Sequence, residues 1–173
     1  MLLIFVSCSY INNNVSVKET ITTQIQETTS TTSVIEKRIE ECRLWKESTI
    51  KQLNGIDYQL TSFYATTGRG EMSSSWFEDL YPSPSISYSY ILGYNEALGA
   101  GMSEKVKNDV IQAVLWYIEA FDKWERGFLE DNLTLINEGT YAIDMAEKWL
   151  QPYIVPSDLK TTQYSFPECR ISD

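Results

Sequence analysis

The chain contains no histidine. That absence removes histidine-based triads, histidine metal sites and imidazole acid–base chemistry together. A ferritin-like di-iron centre, which needs inward-facing Glu-x-x-His motifs, falls with them. Cysteine is scarce: Cys8, Cys42 and Cys169 lie too far apart for a CxxC redox or zinc pattern. No apolar run approaches the roughly 20 residues that a membrane-spanning helix requires. Cationic residues are the minority, 14 Lys and Arg against 24 Asp and Glu, for a net charge of −10. Such a surface opposes nucleic acid and anionic membrane alike; it suits a basic partner. Gly68, Arg69 and Gly70 lack the lysine and spacing of a phosphate loop, and Ser73, Ser74 and Ser75 have neither a G-x-S-x-G elbow nor a base. No cofactor and no metal is expected.

What the chain does have is helical period. From Ser103 to Gln151 apolar residues recur at three- and four-residue steps. The first arm places Val106, Val110, Ala113, Val114, Tyr117, Ile118, Phe121, Trp124, Phe128 and Leu129 on one face, with Ser103 as N-cap. Asp131 and Asn132 interrupt the pattern. The second arm places Leu133, Ile136, Ile143, Met145, Ala146, Trp149 and Leu150 inward, and Pro152 stops it. Folding the segment about Asp131–Asn132 sets Trp124 against Gly139, Tyr117 against Ala146, Ala120 against Ile143 and Gly127 against Ile136. Large meets small at each level, as close packing needs. Glycine inside a helix costs about 1 kcal/mol relative to alanine, so Gly127 and Gly139 point to close approach. The alternative is one kinked helix with incidental glycines.

Two further helices are expected. One begins at Ser33, with Glu36 completing a capping box, and ends near Thr66. Its inner stripe is Ile35, Ile39, Cys42, Thr49, Leu53, Ile56, Leu60 and Phe63, with Trp45 and Trp116 beside the inner stripes rather than within them. The other is short, Pro84 to Leu98, capped by Ser83 with Ile86, Tyr90, Ile91, Tyr94 and Leu98 inward. Between them, Trp76, Phe77, Leu80 and Tyr81 suit one helical turn closing the end of the bundle. The fold class is therefore all-α: an up-down-up-down four-helix bundle with one short helix, and an extended tail from residue 152. Residues 9–32, rich in Thr, Ser and Asn, read as a disordered spacer; an edge strand through Val15, Val17, Ile21 and Ile25 is the rival.

At the N-terminus, Leu2, Leu3, Ile4, Phe5, Val6 and Ser7 lead into Cys8. This resembles the end of a bacterial lipoprotein signal peptide, whose lipobox finishes in the cysteine that receives lipid. Phe5 stands where the lipobox prefers leucine, and no basic n-region precedes it. The resemblance implies a lipid anchor at Cys8 and an oxidising, extracytoplasmic location; a short buried strand is the competing reading. With Cys8 lipidated, Cys42 and Cys169 remain as a pair. In a four-helix bundle the tail starts near the level of Cys42, so a disulfide fits topology and parity; two unpaired thiols, with Cys42 a small core residue, is the alternative.

The aromatic content is high, five Trp, eleven Tyr and six Phe. Tyr81, Tyr88, Tyr90 and Tyr94 cluster around the short helix, where amphipathic rings suit a binding groove; completing the core is the plainer role. The reading is a non-enzymatic, extracytoplasmic, lipid-anchored helical domain that binds a protein or small ligand and meets membrane only through its anchor. The alternatives are an acidic inhibitor or immunity-type partner of a basic enzyme, and a carboxylate-based envelope hydrolase.

Overall fold

The computed structural model describes residues 5–67, 83–155 and 162–169, with side chains described from residue 33 onward. Four helices follow one another: α1 (Phe5–Thr67), α2 (Pro84–Ala97), α3 (Glu104–Leu129) and α4 (Leu133–Leu150). Two short strands, β1 (Ile154–Val155) and β2 (Gln163–Tyr164), pair antiparallel with Ile154 opposite Tyr164. The expected helical bundle is what the chain forms, and the tail beyond residue 152 carries this two-stranded pairing. The chain divides into two units, Met1–Arg38 and Ile39–Asp173, and the core lies in the second.

The first helix corrects the expected start. α1 begins at Phe5, so Ser33 is interior to a helix rather than its cap, and the backbone of residues 9–32 is helical rather than irregular. Neither Gly nor Pro occurs before Gly55, so nothing in that stretch supplies the backbone break that ends a helix. The other ends follow the capping residues. Ser83 Oγ accepts from the Ile86 amide and Ser103 Oγ from the Val106 amide. Asn132 Oδ1 accepts from Thr134 and Leu135.

The α3–α4 hairpin is as the residue sizes require. Asp131 takes the left-handed conformation (φ 50°) that reverses the chain. A methyl group placed on Gly139 would lie 2.5 Å from Trp124 Cδ1 and 2.9 Å from the Ala120 carbonyl oxygen. One placed on Gly127 would lie 2.7 Å from Ile136 Cγ1. Trp124 also donates from Nε1 to the Ile136 carbonyl oxygen, 3.2 Å, a bond that the close approach of the helices permits. Phe63 of α1 stacks on Trp124, with ring centroids 3.7 Å apart. Lys123 joins the two arms on the outside through Glu119 (2.9 Å) and Glu138 (3.2 Å).

Several expected core positions lie elsewhere. Leu129 and Leu133 are exposed because they flank the turn, and Trp149 and Ile39 also reach solvent. Tyr90, expected inward on α2, is exposed; Pro84, Ser87 and Ile91 are the buried residues of that helix. Trp45, placed outside the stripe by periodicity alone, is fully buried. Its indole N–H donates to Asn95 Oδ1 of α2 at 2.6 Å, which removes the desolvation penalty that an unpaired indole would carry. Trp116 is half-buried against the core. On the surface of α1, Arg43 pairs with Glu40 and Glu47; these exposed pairs each contribute little.

The tail returns to α1. Cys42 and Cys169 form a disulfide with Cα atoms 5.9 Å apart, closing a sequence separation of 127 residues. Around it, Phe166 packs edge-on against Trp45 (centroids 5.3 Å) and tilted against Tyr153 (5.2 Å). The Ser165 amide donates to the Tyr153 carbonyl oxygen at 2.8 Å.

Candidate functional site

Two polar clusters and one aromatic pair distinguish themselves from the apolar core. The larger cluster lies where α1, α3, α4 and the tail converge. Asp57 of α1 receives the Tyr164 hydroxyl on both carboxylate oxygens, at 3.1 and 2.9 Å. Tyr164 is buried by the tail's docking and Tyr117 by its place inside α3. The Tyr117 and Tyr164 hydroxyls are hydrogen-bonded to each other. The result is a relay linking Tyr117, Tyr164 and Asp57, buried at the two tyrosines and half-buried at the carboxylate.

Its electrostatics follow from burial and from the other acids. Burial pushes the Asp57 carboxyl up to about 6; the hydrogen bonds from Tyr164 and Thr162 oppose the shift, and the negative charge of Glu147 adds to it. Burial likewise raises Tyr164 and Tyr117 well above the ordinary phenol range. At the rim, Glu147 of α4 is raised by burial and then by Asp144, and Tyr64 of α1 by burial and then by Glu147 and Asp144. The α1–α4 seam thus gathers Asp57, Asp144 and Glu147 with Tyr64.

The second cluster is smaller. Asp109 of α3, almost wholly buried, accepts from the Tyr153 hydroxyl at 2.5 Å and from Lys105 Nζ at 2.5 Å. This pins the start of the tail to α3 and is a structural clamp, with both donors meeting on Asp109 Oδ2.

Of the aromatic residues singled out in sequence, Tyr90 and Tyr94 come together, stacked on successive turns of α2 with centroids 6.2 Å apart and planes at 21°. Tyr90 is exposed, while Tyr94 and Tyr88 are half-buried against the core. Tyr81 lies outside the described residues, as do Trp76, Phe77 and Leu80 of the same loop and the side chain of Cys8. Among the described residues no group of three or more acidic or cysteine side chains is arranged to hold a metal ion, and no helix is long and apolar enough to cross a membrane.

The relay was invisible to sequence reasoning because its members are distant in the chain: Asp57 and Tyr164 are 107 residues apart. Asp144 and Glu147 themselves are exposed on α4. The one available signal was Asp57 itself, an acid one position from Ile56 of the inner stripe. No protein-family model matches the chain, and neither does any curated protein or solved structure.

Proposed function

We propose that this chain is a non-enzymatic binding domain that works outside the cytoplasm, tethered to the cell envelope by lipid on Cys8. The observation that carries the reading is the Cys42–Cys169 disulfide. Such bonds persist in oxidising compartments and are rare in the cytosol. The missing histidine and the absence of a nucleophile–base pairing in the sequence favour binding over catalysis. The Tyr90–Tyr94 stack on α2, the shortest helix of the bundle, exposed at Tyr90, is the surface offered to a ligand, since tyrosine provides a large, rigid contact with a polar tip. The test is expression in a bacterial host, followed by fractionation and mass spectrometry of the N-terminal region. Diacylglycerol on Cys8 in the membrane fraction is expected; an unmodified Cys8 thiol in a soluble fraction overturns the tether.

A second reading, an acidic partner of a basic protein, draws on the α1–α4 seam. There burial and then the charge of Asp144 raise Glu147, and burial with the charge of Glu147 raises Asp57, so a cation brought by a partner would relieve both. Association with a defined basic protein that weakens with salt, and weakens further on Asp144→Asn with Glu147→Gln, would favour it. Indifference to both changes would remove it.

A further inference from the structure

The segment 162–169 crosses the bundle as a strap with unlike fastenings at its two ends. One end is covalent, Cys169 to Cys42. The other end is held by Tyr164 on Asp57, by the β1–β2 pairing, and by the Ser165 amide on Tyr153. We propose that the Tyr164 end is a proton-controlled latch: uptake of a proton by Asp57 fastens residues 162–165 to the bundle, and its release loosens them, while the disulfide holds the far end in place.

The argument rests on what faces Asp57. From the tail come the Tyr164 and Thr162 hydroxyls, from α3 the Tyr117 hydroxyl through Tyr164, and from α4 the Glu147 carboxylate with Asp144 beyond it; Tyr64 lies on α1 itself. None of these carries positive charge. Among the described residues an ionised Asp57 beneath the strap therefore has two hydroxyl bonds but no counter-charge, and it sits beside a like charge. Lifting the strap returns it to water. A protonated Asp57 has no such incentive. The direction of the shift agrees. The folded carboxyl is raised from 3.8 to about 6, so the closed strap holds the proton more tightly than the open one. The closed form gains stability as pH falls through about 6, in full below about 4, and loses it as pH rises through 6.

A gap of about two pKa units sets a ceiling near a hundredfold on the opening equilibrium, at a factor of ten per unit. Partial solvent access at the seam reduces the expected change to about tenfold. The measurement is hydrogen–deuterium exchange on the full, disulfide-intact chain at about pH 5 and about pH 7.5, corrected for intrinsic exchange. Protection at Tyr164 and Ser165 should rise about tenfold in acid, while α3 and α4 amides stay unchanged. In Asp57→Asn the strap should be equally protected at both pH values, because the amide oxygen still accepts from Tyr164 without ever carrying charge. In Glu147→Gln the midpoint should move down. Carboxyl-carbon NMR of the unaltered protein gives a check that needs no variant: Asp57 should titrate near 6. An Asp57 midpoint near 4, strap protection independent of pH, or an Asp57→Asn protein that keeps the wild-type pH dependence would each overturn the latch.

Discussion

The α3–α4 hairpin and the α1–α2 seam belong to one bundle but are put together on different terms. In the hairpin, two glycines receive Trp124 and Ile136 at distances that leave no room for a methyl group, and the Trp124 indole N–H is satisfied across the interface. Along α1 and α2 the buried residues include Thr49 and Gln52 on one side and Ser87 on the other. The hydroxyls of Thr49 and Ser87 and the amide oxygen of Gln52 have no protein partner. Trp45 and Asn95 provide the one directed bond between these two helices given above. Counting turns away from that pair, antiparallel, brings Thr49 level with Ile91 and Leu53 level with Ser87. One interface is specified by shape; the other accepts a polar cost that shape does not explain. The lesson is that α3 and α4 are fitted by residue volume, whereas α1 and α2 bury polar atoms that no protein group satisfies.

Breaking the first interface should have the largest effect. Trp124→Ala removes the ring that fills the Gly139 notch and stacks on Phe63; a loss of about 3–5 kcal/mol in denaturant unfolding is expected. Reducing the disulfide, or Cys42→Ser, should come next, at about 2–5 kcal/mol, with the loss in thermal midpoint largest in oxidising buffer. Gly139→Ala isolates shape alone. The new methyl would meet Trp124 and the Ala120 carbonyl, so the roughly 1 kcal/mol gained in helix propensity is outweighed by overpacking of about 1–3 kcal/mol. A stabilised Gly139→Ala protein would show that the two arms are less tightly fitted than described. The smallest effect has the opposite sign. Ser87→Ala and Thr49→Val should be neutral or stabilising by about 1 kcal/mol, because each removes a buried hydroxyl without a partner. A clear loss in either would mean that the hydroxyl is bonded in solution, and the contrast between the seams would narrow.

What could be read from the sequence, and what could not, divides along the same line. The hairpin was legible because residue volume is a local property, and a fold-back about Asp131–Asn132 pairs volumes that can be checked one level at a time. The Cys42–Cys169 bond was legible from helix order, since a fourth helix must end beside the first. Trp45 was not: its burial depends on an acceptor at Asn95, and periodicity records apolarity but not hydrogen-bond partners. Tyr90 was assigned inward for the complementary reason, because an aromatic ring counts as apolar in a helical stripe whether or not a neighbour covers it. The start of α1 was missed because threonine and asparagine weaken a helix without stopping it. The Asp57–Tyr164–Tyr117 relay needed the tail's path across α1, which no local pattern contains.

The placing of the sulfur–sulfur link has a mechanical consequence. Tension applied between the two chain ends would run along α1 to Cys42, cross directly to Cys169 and leave by the last residues. Everything from residue 43 to residue 168 hangs from that junction as a side loop and bears no load. A domain strung this way can be pulled from its two termini while the surfaces between them keep their shape.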